Sequence, residues 1–466
     1  MKYLSLPLLA LATSCALGPN YRRPQVEAPA LWSAQAQAEA ASLADQPWWE
    51  VFGDPALKSL IGQALASNYD VRTAVQRVEE YRARAGMERA DYLPALTPGV
   101  GVGRGHSSPY TAGGGGIGNS VNAQVGLAWE LDLWGRLRRL NEAAKAQYLA
   151  SQEFRSGVYL ATAAQVAQAY FELRELDARL AIARSTTQAF QETYDLFDQR
   201  FQGGAASRLE TARAEAALAS AAAFIPDLER QIQAKENLLS YLVGRNPGPI
   251  PRGGDLQAQP LPPVIPAGLP SALLERRPDL REAEQRLVAA NAAIGVAQAN
   301  YFPILSITGL LGGVAPNVNQ LFGSGREWSI GTGLNGPTLQ GLRLKDQKAV
   351  VVAQWEQART HYEGAVTGAF GEVSTLLVAY QKLADVETQQ ARAVAAYQEA
   401  VALATMRYRA GLSSYVEVLE AQQQLFPAQN SLSQARLNRL VDLVQLYKAL
   451  GGGWNLKDPG GWKAPS

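Results

Sequence analysis

The sequence predicts a mainly α-helical protein with membrane β-strands, and the whole arrangement is written twice. Three observations predict it: motifs recur at a near-constant offset, short stretches alternate with period two, and a proline-free helical stretch of about 65 residues is matched by a second one. Asp91-Tyr92-Leu93-Pro94 recurs as Asn300-Tyr301-Phe302-Pro303, 209 positions on. At that same offset Asp70-Val71 matches Asp279-Leu280, and Gly86 matches Gly295. Arg200-Phe201-Gln202-Gly203-Gly204 matches Arg407-Tyr408-Arg409-Ala410-Gly411 at an offset of 207, and Ser207, Glu210 and Gly244 find Ser414, Glu417 and Gly451. A unit of about 200 residues is far longer than a solenoid repeat, so each half should carry the same elements in the same order.

Residues 1–14 read as a signal peptide: Met1-Lys2, an apolar run from Leu4 to Ala12, then Thr13-Ser14. Cys15 follows small residues, as in a bacterial lipobox, although Ala12 stands where leucine is usual. It is therefore expected to become the lipidated first residue, and Ala16 after it fits sorting to the outer membrane. Residues 15–53 form an extended lead-in, from Gly18-Pro19-Asn20-Tyr21-Arg22-Arg23-Pro24 to Trp48-Trp49-Glu50-Val51-Phe52.

The first repeat spans 54–245. Asp54-Pro55 caps a helix with proline at its first position, and the pattern runs to about Ala90. Pro94 stops it. A hairpin over about 95–133 follows. Leu96, Val100 and Val102 point one way, and Thr97, Gly99, Gly101 and Gly103 the other. After a glycine-rich loop, Val121, Ala123, Val125, Leu127, Trp129 and Leu131 share a face against Asn122, Gln124, Gly126, Ala128, Glu130 and Asp132. Alternation over about ten residues suits a membrane strand, and equally a hairpin with one dry face. A helix from about Arg136 to Gln202 follows. Tyr159, Val166, Leu173 and Leu180 recur every seven residues, with Ala163 and Tyr170 between, which makes a coiled-coil-like seam on a helix about 100 Å long. Gly203-Gly204 breaks it, Ser207 caps the next helix three places before Glu210, and that helix runs to about Val243.

A Pro/Gly-rich linker covers 246–268. The second repeat, 269–453, has its hairpin at about 304–336, a helix from about Leu342 to Arg409, a break at Gly411, a cap at Ser413 or Ser414, and a helix to Leu450. Residues 454–466 are a tail. The lengths let two shorter helices stack end to end beside each long one. Four strands cannot close a barrel, and an open sheet exposes edges that lipid and water both tolerate poorly. The strands must pair with other copies, and three copies give twelve.

Composition narrows the chemistry. The formal net charge of +1 gives no electrostatic case for nucleic acid. Cys15 is the only cysteine, and His106 and His361 are the only histidines, which rules out cysteine-based zinc motifs and makes any metal site improbable. A Ser-His-Asp arrangement would need one of those histidines, and they stand in a strand end and a long helix. The Gly-x-Gly-x-x-Gly spacing of Gly113, Gly115 and Gly118 lies between two strands, not between a strand and a helix, so it reads as a turn. No enzyme is expected, and no cofactor beyond the lipid.

The chain resembles the outer-membrane efflux proteins, the lipid-anchored outer-membrane factors paired with resistance–nodulation–division pumps. The resemblance is carried by the 18–24 and 48–55 motifs, Glu130-Leu131-Asp132-Leu133-Trp134-Gly135-Arg136, the two Arg-Phe/Tyr-x-x-Gly turns, and Leu446-Tyr447-Lys448-Ala449-Leu450-Gly451-Gly452. It implies a homotrimer with a 12-stranded outer-membrane barrel continued by a long periplasmic α-helical barrel. It also implies a periplasmic adaptor protein and an inner-membrane pump as partners. The adaptor-contacting tips carried over are Arg200, Phe201, Gly204 and Ser207, and Arg407, Tyr408, Gly411 and Ser414. An aliphatic and an acidic ring usually form the periplasmic gate, and here those positions are similar to Val416 and Glu420, four apart on one helix face. Glu420 stands for the usual aspartate, and Gln423 stands where a basic residue is common. Arg213, the repeat counterpart of Glu420, is the suggested substitute partner.

Overall fold

A computed structural model gives the fold, describing residues 16–32, 42–46, 51–110, 115–262, 264–337 and 341–453. The signal peptide, Cys15, Trp48-Trp49-Glu50, Gly113 and the 454–466 tail lie outside the described residues. The elements run α1 (Pro55–Ser67), α2 (Tyr69–Ala90), β1 (Ala95–Ser107), β2 (Gly116–Leu131), α3 (Arg136–Gln202), α4 (Arg208–Ala222) and α5 (Phe224–Leu242). The second half gives α6 (Leu273–Arg276), α7 (Pro278–Ala299), β3 (Ile304–Ala315), β4 (Arg326–Asn335), α8 (Gly341–Arg409) and α9 (Tyr415–Ala449).

Two expected helices are each divided. The helix expected from Asp54 to Ala90 breaks at Asn68, whose backbone is extended at ψ 138°. Its side-chain oxygen accepts from the backbone N–H of Asp70 (2.8 Å) and Val71 (3.1 Å), so it caps a fresh helix rather than continuing the old one. The helix expected from Arg208 to Val243 breaks at Ala223. Pro226 has no N–H for the carbonyl of Ala222 and its ring crowds that oxygen. Pro427 lies inside α9 without ending it; the carbonyl it leaves bare belongs to exposed Gln423. Glycines 116 and 118 open β2 rather than lying in a loop.

The chain divides into two compact units, each drawing on both repeats: 1–25, 77–152 and 282–364 in one, and 26–76, 153–281 and 365–466 in the other. The first unit holds the sheet, antiparallel throughout in the order β1-β2-β3-β4. Register aligns Pro98, Val125, Leu311 and Trp328 across all four strands, and beside them Leu96, Leu127, Gly309 and Ile330. That face is apolar and largely open: Leu311 is 69% exposed, Trp328 76% and Ile330 74%. The other face aligns Gly99, Gln124, Gly312 and Glu327. A Cβ on Gly312 would lie 2.5 Å from the Gln124 Cα, so only glycine fits there.

Aromatic residues mark the end of the sheet where the helices join. Trp134 donates to the Pro303 carbonyl (2.8 Å) and stacks on Phe302, while Trp129 donates to the Tyr92 carbonyl (2.9 Å). The lead-in lies across this junction as a strap. The Leu17 N–H donates to the Trp134 carbonyl, and Arg139 donates to the carbonyls of Leu17 and Gly18 and to Asn20. Asn291 holds the Pro19 carbonyl, and Glu284 accepts from Tyr21 and Arg23. Gly18 (φ 97°) crosses α7 at Gly295, where a Cβ would lie 2.4 Å from the Gly295 Cα.

In the second unit the heptad seam of α3 is core, with Val166, Tyr170 and Leu173 fully buried. Buried Asp54 caps α1 with one oxygen and accepts from Tyr170 (2.9 Å) and Gln259 (3.0 Å) with the other. The linker lies against the long helices: Arg252 pairs with Asp177 and Glu236, and Arg436 donates to the carbonyls of Leu256, Gln257 and Gln259. In both repeats the helix ends expected to meet do so within this unit. Asn68 donates to the Leu242 carbonyl (2.8 Å), bringing the start of α2 to the end of α5. Its repeat counterpart Arg277 donates to the Ala449 carbonyl (3.1 Å), bringing the start of α7 to the end of α9. Gly244 (φ 73°) and Gly451 (φ 69°) turn the chain beside these joints, against Ser67 and Arg276.

Candidate functional site: the hairpin tips and the groove behind them

Both tips end in the same turn. The N–H of Gly204 donates to the Phe201 carbonyl (3.0 Å) and that of Ala205 to the Arg200 carbonyl (2.7 Å). Gly411 and Leu412 repeat this with Tyr408 and Arg407, each at 2.9 Å. These are Schellman closures, and they need a left-handed residue, supplied by Gly204 (φ 73°) and Gly411 (φ 72°).

The caps after the turns differ. Ser207 and Glu210 form a full capping box, and the serine's backbone N–H and hydroxyl hold the Glu210 carboxyl below its ordinary value. Ser414, not Ser413, is the cap of α9, and its hydroxyl makes no capping bond. Glu417 instead lies 3.9 Å from Arg407, a weak exposed pair.

The tips are tied to each other. Arg200 donates to the Tyr408 hydroxyl (2.5 Å). Tyr415 is the hub: its hydroxyl bonds Thr193, and its ring packs edge-on against Phe197 (4.7 Å) and Tyr408 (5.1 Å). Burial pushes the Tyr415 phenol upward, so it stays a neutral hydrogen-bonding group. Phe201 points away from this cluster, 39% exposed, with the Arg208 guanidinium 5.9 Å from its ring. Sequence reasoning missed Tyr415, Thr193 and Phe197. A signal existed, because Arg208 occupies the position 207 before Tyr415, so the copies disagree there.

Behind the tips α4 and α9 enclose a groove of about 460 Å³. The three expected gate residues, Arg213, Val416 and Glu420, all line it, and so does Gln423. Phe190, Ala217, Ala221 and Leu419 form its apolar base. Arg213 and Glu420 are exposed and make no ion pair with each other within the chain. No group of three histidine, cysteine, aspartate or glutamate residues able to hold a metal occurs among the described residues. None of the helices described is long and apolar enough to cross a membrane.

A four-stranded sheet with one exposed apolar face and two unpaired edges, joined to long helical hairpins, defines an outer-membrane channel class. The chain belongs to the outer membrane efflux protein family, whose profile matches residues 60–245 and 269–452, the two repeats. It is 36% identical over 463 residues to the toluene efflux pump outer membrane protein TtgC of Pseudomonas putida, covering 97% of this chain and 95% of that one. It is 32% identical over 452 residues to the cation efflux system protein CusC of Escherichia coli, covering 96% and 97%. Among solved structures it is similar to the outer-membrane channel OprN, with a TM-score of 0.88 at 30% identity over 94% of this chain and all of that one. The protein is an outer-membrane efflux component.

Proposed function

We propose that the chain is the exit duct of a tripartite efflux pump, passively conducting small molecules from periplasm to exterior. The observation that carries this is the sheet. Its four aligned strands present an exposed apolar face and a polar, glycine-rich one, as lipid outside and water inside require. The free edges of β1 and β4 call for further copies, and three chains supply twelve strands. The strap supports a lipid on Cys15, because residues 17–23, which follow it, are fastened to α3 and α7 at the sheet's helical end. No catalytic residues are needed; energy comes from an inner-membrane resistance–nodulation–division pump, with a periplasmic adaptor meeting the two tips. Conductance in planar bilayers tests the duct, and a chain that inserts without conducting would instead be a structural lipoprotein. Charge reversal of Glu420 should alter that conductance. Mass spectrometry of the N-terminal peptide tests acylation, and cysteine crosslinking from Ser207 and Ser414 tests the adaptor contact.

A further inference from the structure

We infer that the groove behind the tips is a binding site for aromatic zwitterions of drug size. At about 460 Å³ it is large enough to hold one such molecule, and it combines an apolar floor with a few polar groups, as small-molecule sites do. Phe190 forms the base, while Phe224 and Phe426 meet edge-on with ring centroids 5.2 Å apart. Flat rings gain offset or edge contacts with such a floor.

Charge selects the ligand. Arg213 stands on α4 and Glu420 on α9, and both line the groove. Neither makes a hydrogen bond or ion pair with any described residue, each other included. A purely cationic ring system would satisfy Glu420 but meet Arg213, and a purely anionic one the reverse. A molecule carrying both signs satisfies both, through charge-assisted hydrogen bonds. The groove has this character because the two repeats diverge: Arg213 and Glu420 occupy equivalent positions with opposite signs.

The site is tested on the full-length protein in lipid nanodiscs, by fluorescence anisotropy of Nε-dansyl-lysine, which carries a naphthalene ring and a zwitterionic head. Neutral dansyl amide is the comparison, and empty nanodiscs are subtracted. The zwitterion should bind about ten-fold more tightly than the amide. Arg213→Glu and Glu420→Arg should each weaken it about five-fold or more, while the paired swap restores it because both signs remain. Phe426→Ala should weaken both probes. Equal binding of the two probes, no binding at all, or no response to the single charge reversals overturns the assignment. Binding is read at equilibrium without transport, so a protein that conducts but ignores the probe overturns this site and leaves the duct intact.

Discussion

The tie between the two hairpins can be cut without emptying its core. Tyr415→Phe keeps the ring against Phe197 and Tyr408 but deletes the hydroxyl bonded to Thr193. A half-buried neutral hydrogen bond contributes about 1 kcal/mol, rising to about 1.5 kcal/mol when the partner is left unsatisfied. Tyr408→Phe removes the acceptor for Arg200. That contact is exposed, so solvent reduces it to about 0.5 kcal/mol. Together the two changes weaken the attachment by about 2 kcal/mol, roughly a thirty-fold shift towards separated hairpins. Planar-bilayer conductance of the single and double variants reads this directly. The order should be double variant, then Tyr415→Phe, then Tyr408→Phe, all above wild type. A double variant that conducts like wild type, or a larger effect from Tyr408 than from Tyr415, refutes the reasoning.

Asp54→Ala should lower stability by about 3 kcal/mol or more in circular-dichroism melts. It removes a helix cap, takes away the acceptor of the buried Tyr170 hydroxyl, and leaves the Gln259 amide only its 3.4 Å bond to the Gly254 carbonyl. Gly244→Ala should cost more than Gly451→Ala in the same assay. Both need left-handed backbone, but the added Cβ would lie 2.4 Å from the Ser67 carbonyl in one case and 3.0 Å from Arg276 in the other. Asp442 is buried, one of its oxygens has no partner, and burial pushes its carboxyl up to about 7. Between its ordinary value and about 7 the folded chain holds a proton that the unfolded chain has lost, so stability falls as pH rises through that window. Asp442→Asn should therefore raise stability at pH 8 by up to about 4 kcal/mol and change it little at pH 4; a destabilised variant at pH 8 would sink this reading.

The strands were legible because pleat and register impose a strict period: Leu96, Val125, Trp328 and Ile330 fall on one face as the alternation requires. The tip turns were legible because Gly204 and Gly411 mark left-handed backbone. The break at Asn68 was not, since an asparagine in a helical pattern signals a boundary only when its side chain finds the backbone two and three residues on. Pro226 was a visible breaker but sits where a helix start also tolerates proline. At the candidate site, Arg213, Val416 and Glu420 line one groove; spacing alone puts Val416 and Glu420 on one helix face, whereas Arg213 is reached only through the repeat offset. Tyr415 escaped because Thr193 and Phe197 come from another helix more than 200 residues earlier.

The joints at Asn68 and Arg277 do the same geometric task with different chemistry. Asn68 is neutral and buried, and it caps one helix while closing the end of another. Arg277 also reaches Asp279 and Glu372, carboxylates that remain 54% and 37% exposed. Mobile ions reach those carboxylates but have nothing to screen at Asn68. Raising ionic strength should thus weaken the joint at Arg277 and leave the joint at Asn68 as it is, so salt alone makes two geometrically equivalent contacts unequal.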